Sequence, residues 1–174
     1  FDKDKPQYSH AKKDYLKDEL WQDNFRHLTN RKLSFDIQIY PHQFDDACKL
    51  AKRYPNVQFI LNHTGEPCFQ TEEYKKYWMR KMQSLAEHEN FVCKISGLGM
   101  FNPSWTIIST EYFILNTIEI FGIDRCMFGS NFPVDKIFNT FDNYWSSYFN
   151  IVENFSQNEH DKIFLKNAEK FYRI

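Results

Sequence analysis

Val57-Gln58-Phe59-Ile60-Leu61-Asn62-His63 is an apolar run that ends in polar residues, and Thr64-Gly65-Glu66-Pro67 breaks it. A near-continuous apolar run of this length is what a strand covered on both faces requires. Three more strands are predicted around it. Leu33-Ser34-Phe35-Asp36-Ile37-Gln38-Ile39-Tyr40 alternates apolar and polar residues and stops at Pro41, which has no N–H to give a ladder. Phe91-Val92-Cys93-Lys94-Ile95-Ser96-Gly97 is the third strand and Arg125-Cys126-Met127-Phe128-Gly129 the fourth. Between the strands the period changes to that of helices. Phe44, Ala47, Leu50 and Ala51 share a face before the turn Tyr54-Pro55-Asn56. A helix over residues 72–88 aligns Tyr74, Tyr77, Trp78, Met82 and Leu85, and another over about 111–121 stops at Gly122. Helices are also predicted over residues 18–28, carrying Leu20, Phe25 and Leu28, and through Phe141, Tyr144, Trp145, Tyr148, Ile151 and Val152. The last helix opens on Ser156-Gln157-Asn158-Glu159, a capping box in which Ser and Glu satisfy reciprocal backbone donors.

Strands separated by helices pair in parallel, because each crossover returns the chain in the same direction. The class is therefore α/β, either an open doubly wound sheet or part of a closed barrel. No glycine-rich phosphate loop follows any strand, which argues against a nucleotide-binding open sheet. With 174 residues and no low-complexity linker, the chain reads as a single domain. Charge is balanced, with 22 Lys+Arg against 23 Asp+Glu, so no basic stripe awaits nucleic acid. The 18 Phe and 10 Tyr residues predict a bulky, well-packed interior. Cysteines 48, 68, 93 and 126 form no C-x-x-C pair, the usage of a reduced, cytoplasmic protein. The opening Phe1-Asp2-Lys3-Asp4-Lys5 is neither a signal peptide nor a membrane span, so no membrane partner is expected. The chain begins without Met and without a strand, and reads as a fragment of a longer protein.

Parallel βα units of the barrel type place their chemistry at the C-terminal ends of the strands. The polar residues there are Asp36 and Gln38, Asn62 and His63, Lys94 and Ser96, and Ser130 and Asn131. A buried apolar strand has no structural reason to end this way four times. A neutral His63 imidazole at such a tip binds a divalent metal or moves a proton; the plainer alternative is a bond to a loop carbonyl. Asn131 reads as a substrate-orienting amide or as an Asx-turn residue before Pro133. Asp36 and Lys94 read as an ion pair inside the barrel or as a catalytic pair. The aromatic helix stripes are core. His10, His27, His42, His88 and His160 read as surface or loop residues.

Four ordered segments carry a resemblance: Leu33-Ser34-Phe35-Asp36-Ile37-Gln38, Asn62-His63-Thr64-Gly65-Glu66-Pro67, Lys94-Ile95-Ser96-Gly97-Leu98-Gly99 and Arg125-Cys126-Met127-Phe128-Gly129-Ser130-Asn131-Phe132-Pro133-Val134-Asp135. From about residue 14 to the end, the chain resembles the amidohydrolase-related family, in its branch of metal-dependent barrel hydrolases and sugar lactonases. The resemblance implies a partial (β/α)₈ TIM barrel whose four strands correspond to strands five to eight, the first four being absent from this chain. It implies His63 in the active site, one divalent metal such as zinc, and a small-molecule substrate. Two departures accompany it. The family's first-strand His-x-His pair does not occur, and Asn131 stands where the last motif carries aspartate. A carboxamide accepts no proton as a base and is a poor zinc ligand beside a carboxylate. Asp135, four residues on, is the candidate replacement acid or base. The expected reaction is hydrolysis of a lactone or related carbonyl ester of a small organic or sugar acid. In it His63, Asn131 and Asp135 would be catalytic, and Asp36, Gln38, Lys94 and Ser96 would bind substrate. Two alternatives stand beside it: a decarboxylase of the same superfamily, and an inactive barrel fragment or scaffold. A half barrel would leave two sheet edges and part of its inner face uncovered, which also makes a second copy of the chain, or the missing half, a candidate partner.

Overall fold

The computed structural model describes Ser9 and residues 11–174; His10 and the charged opening residues 1–5 lie outside them. The chain opens with two short helices, α1 (Glu19–Asp23) and α2 (Phe25–Arg31), where the periodicity predicts one. The Asp18 carboxylate caps α1 by accepting from the Trp21 N–H, and the helix is interrupted at Asn24, a weak helix former. There follow β1 (Ser34–Ile37), α3 (Phe44–Arg53), β2 (Gln58–Leu61), α4 (Glu72–Ala86), β3 (Phe91–Ile95), α5 (Leu98–Phe101) and α6 (Ile107–Phe121). Then come β4 (Cys126–Phe128), α7 (Phe141–Ile151), α8 (Gln157–Asp161) and α9 (Asn167–Tyr172), the last two joined by a π-helical turn, Lys162–Lys166. Helix α6 begins earlier than the apolar pattern suggests, because Thr106 and Ser109 form a reciprocal cap. The capping box read at Ser156 and Glu159 is formed.

The strands pair in the order β1-β2-β3-β4, every pair parallel, as successive units of a (β/α) barrel do. Strand period divides the side chains between two faces. Phe59, Leu61, Phe91, Cys93, Ile95, Cys126 and Phe128 face outward into the main core, with Phe44, Trp78, Met82 and Phe113 from the helices. Ile60, Val92 and Met127 face inward as a separate cluster. The inner face is partly covered from within the chain. Helix α9 lies on it, with Phe171 buried against those three residues and Ala168 and Tyr172 beside it. Polar groups fasten the helix at both ends. Asn167 Nδ2 donates to the Ile123 and Cys126 carbonyls at 2.7 Å each, and Ser34 Oγ donates to the Phe171 carbonyl at 2.9 Å.

Asn90 ties three loop carbonyls together: its Nδ2 lies 3.2 Å from the Ala51 oxygen and 3.1 Å from those of Tyr54 and Val57. Asn90→Ala removes this shared donor, although the Tyr54 carbonyl keeps the Val57 N–H, at an expected cost of about 2 kcal/mol in urea unfolding. Among the described residues no helix is long and apolar enough to cross a membrane.

Candidate active site

The loop after β2 is built from residues in an uncommon conformation. His63 (φ 53), Thr64 (φ 57), Gly65 (φ 66) and Glu66 (φ 58) follow one another in the left-handed region. Three of the four carry a Cβ, and such residues persist there only where their surroundings hold them. The surroundings do. Trp78 Nε1 donates to the Thr64 carbonyl at 3.0 Å, and Tyr74 Oη and Cys68 Sγ each donate to the Glu66 carbonyl at 3.2 Å. A side chain on Gly65 would collide with the Phe44 ring, its Cβ falling 2.7 Å from Phe44 Cζ.

This turn lays the His63 ring across the end of β3. Nδ1 lies 2.9 Å from Ser96 Oγ, and the ring packs so closely on Gly97 that a Cβ there would sit 2.6 Å from Nδ1. Ser96 and Lys94 stand at even spacing from Val92, so they share the inner face. Gly129 closes the other side, against Lys94 and Ser96, and its carbonyl accepts from Tyr148 Oη at 3.2 Å. Burial, then the Lys94 charge, push the His63 pKa down to about 4, with Asp36 opposing. The imidazole is therefore neutral at pH 7 and keeps a lone pair.

Beneath His63, Lys94 Nζ donates to Asp36 Oδ1 at 2.8 Å and to Tyr172 Oη at 2.9 Å, while Tyr172 Oη donates to the same Asp36 oxygen at 2.8 Å. Asp36 and Lys94 form an ion pair, with a third member that no sequence pattern marked. Burial works against the Lys94 charge, but Asp36 and Tyr172 outweigh it and its pKa is raised.

Asn131 (φ 54) does not bond a neighbouring backbone group as an Asx-turn would; its Nδ2 donates to the Asp135 Oδ1 of the same loop at 2.9 Å. That local role falls to Ser130, whose Oγ accepts from the Phe132 N–H at 3.2 Å. Asp135 is wholly buried, and its Oδ2 lacks a hydrogen-bond partner among the described residues. Burial raises its pKa, with Asn131, Tyr144 and the Gly99 backbone easing the cost. The predicted residues thus form neighbouring pairs, His63 with Ser96, Asp36 with Lys94 and Asn131 with Asp135, and among the described residues no hydrogen bond joins one pair to another.

Gln38 sits beside a residue that sequence reasoning passed over. Glu66 is wholly buried, neither carboxylate oxygen has a hydrogen-bond partner among the described residues, and burial pushes its pKa up to about 8, partly eased by the Gln38 side chain. A glutamate between Gly65 and Pro67 looks like an exposed turn residue. The available signal was that no Lys or Arg stands near it in the run 59–71.

The metal expectation fares differently. Among the described residues no three His, Cys, Asp or Glu side chains converge to hold a metal ion. His63 has Ser96 on one ring nitrogen, and the Asn131 amide is committed to Asp135. The described residues do not fit a metal centre. Of the other histidines, His27 and His42 are exposed, whereas His88 and His160 are half-buried.

Comparison with known proteins places this geometry. A family model described as Amidohydrolase matches residues 7–174. An uncharacterised protein, y4mH, of Sinorhizobium fredii is 42% identical over 154 residues, 88% of this chain and 52% of that protein. An L-fucono-1,5-lactonase of Burkholderia ambifaria is 26% identical over 169 residues, 94% of this chain and 58% of that protein. Among solved structures, a zinc-bound amidohydrolase from Burkholderia multivorans superposes with a TM-score of 0.86 at 21% identity, covering 92% of this chain and 59% of that one. The chain thus spans somewhat more than half the length of the proteins it matches.

Proposed function

The chain belongs to the amidohydrolase family, and from that premise we propose that it carries the His63 side of the active site of a hydrolase opening a lactone or related carbonyl ester of a small organic or sugar acid. One observation carries the reading: a neutral imidazole held on the inner face by Ser96 and Gly97, close enough to the Lys94 ammonium to feel its charge. The lactone named in the Burkholderia ambifaria relative supports the substrate class.

In this reading His63 gives its Nδ1 proton to the bond with Ser96, and Nε2 takes a proton from water. The water oxygen bonds to the carbonyl carbon, and Lys94 stabilises the charge that develops on the carbonyl oxygen. The ring C–O bond breaks, and the leaving oxygen recovers the proton from His63, giving the open hydroxy acid. Asn131 faces ring hydroxyls, its amide held by the Asp135 carboxyl, which stands behind it as the candidate acid or base. Asp36, Gln38 and Ser96 orient the substrate. No step runs through a metal, because the described residues do not provide its cage.

Acid release from a panel of aldonolactones by the full-length protein, with and without chelator, tests the proposal. Turnover that survives chelation assigns His63 as the base. Loss on chelation moves His63 into a metal's ligand shell. Release of CO₂ in place of net acid identifies a decarboxylase, and a stable protein that turns over no lactone favours the scaffold.

A further inference from the structure

Helix α9 does more than cover apolar surface. Its last residue, Tyr172, reaches past the Phe171 cluster and places a hydroxyl between two charges borne by different strands: Asp36 on β1, 136 positions away, and Lys94 on β3, 78 positions away. The three groups close a ring. Asp36 Oδ1 accepts from both Lys94 and Tyr172, and Tyr172 Oη accepts from Lys94 while donating to Asp36. A lysine has four rotatable bonds and a compact charge that swings readily, so two fixed partners are what hold it at one point.

We propose that Tyr172 is a positioning residue, holding the Lys94 ammonium at the inner-face point beneath His63 where the carbonyl oxygen of the substrate is to be met. The inference rests on the hydrolase reading for its consequence, though not for its geometry. Burial, with Asp36 adding to it and Lys94 opposing, raises the Tyr172 pKa, so the phenol keeps the proton it donates to Asp36. The C-terminal helix thereby becomes part of the site's floor. Truncation before Tyr172 would remove a functional contact as well as a cover.

Tyr172→Phe deletes one oxygen and leaves the ring in place. In the full-length protein, amine-directed acetylation of Lys94, followed by peptide mass spectrometry, is expected to become about threefold faster or more, because a bond to a charged group has been lost. With a lactone substrate, kcat is expected to fall about tenfold with KM within about twofold, the pattern of a misplaced rather than missing contact. Arg173→Ala is the structural control: it removes the 3.1 Å bond to Ser34 Oγ in the same segment and should leave Lys94 reactivity at the wild-type rate. A Lys94 acetylation rate unchanged in Tyr172→Phe overturns the proposal, as does an equal rise in both variants. A wild-type protein that hydrolyses no lactone sinks the hydrolase reading alone. The acetylation rates then still decide whether Tyr172 holds Lys94.

Discussion

His63→Ala is expected to lower kcat/KM for lactone hydrolysis by about a thousandfold, the middle of the range for losing a positioned general base. Its unfolding should stay cooperative, because the ring is only half-buried. The sharper test leaves the imidazole in place. Gly97 takes φ 68, and a Cβ there would fall 2.6 Å from His63 Nδ1, 2.8 Å from Cγ and 2.9 Å from Met100 Cε. The Met100 methyl ends a flexible side chain and can move aside, but the imidazole stands between Gly97 and its bond to Ser96, so Gly97→Ala must shift the ring relative to Ser96. Displacement of about 1 Å costs roughly a hundredfold in rate where a group works by position. The left-handed backbone adds about 1–2 kcal/mol of strain. Gly122→Ala separates the two effects. Gly122 also has positive φ, at 76, but nothing lies within 4 Å of its Cβ position. With ψ 150 its backbone lies in a region open essentially to glycine alone, so the substitution should lose about 2–3 kcal/mol of stability and no activity. Gly97→Ala with wild-type kcat/KM would show that the close fit of ring on backbone does no chemical service.

What could be read from the sequence was whatever a short window contains. The apolar run ending at His63, the alternation at residues 33–40 and the helical spacing in α3 and α4 each declare their element locally, and together they require the parallel order observed. The strands are shorter than the patterns suggest, because Ile39, Tyr40 and Asn62 remain buried or extended after the ladder has ended. Contacts between distant segments were out of reach. Phe171 and Tyr172 at the end of a helix look like an ordinary apolar stripe, and nothing in the local sequence shows that the stripe lies on the inner face. His63 could be singled out by its place, but its partner Ser96 is 33 residues away and was read only as a substrate contact. Asn131 and Asp135 are four apart, and even there the sequence left open which way the amide turns. Glu66 is the clearest failure: turn chemistry predicts exposure for it, and packing from Met82, Phe44 and Tyr74 around the loop decides the opposite.

That burial has a measurable consequence. Glu66 has a pKa of about 8 in the folded protein against an ordinary value near 4.5. Below about 4.5 the folded and unfolded states both hold the proton, so Glu66 contributes no pH dependence. Between about 4.5 and about 8 the unfolded chain releases the proton while the folded protein retains it. Stability therefore falls as pH rises through this window, and above it the whole penalty of a buried charge is felt. His63 acts with the opposite sign. Its pKa is depressed from 6.5 to about 4, so its contribution is present at neutral pH and is lost as pH falls through that interval. Glu66→Gln keeps the side chain's size and its contact with Gln38 but cannot ionise. It is expected to stabilise the protein by roughly 3 kcal/mol at pH 8, a value kept below the full shift because water enters real interiors, and by little at pH 5. Urea unfolding at half-unit steps from pH 5 to pH 8 reads both curves. The wild type should stay nearly level from pH 5 to about 6.5, where the Glu66 and His63 slopes oppose each other, and decline from there to pH 8, while the variant, left with His63 alone, rises to about pH 6.5 and is nearly level above it. Parallel curves would mean that the Glu66 carboxylate reaches water or a cation in solution, and the loop after β2 would then need a different account.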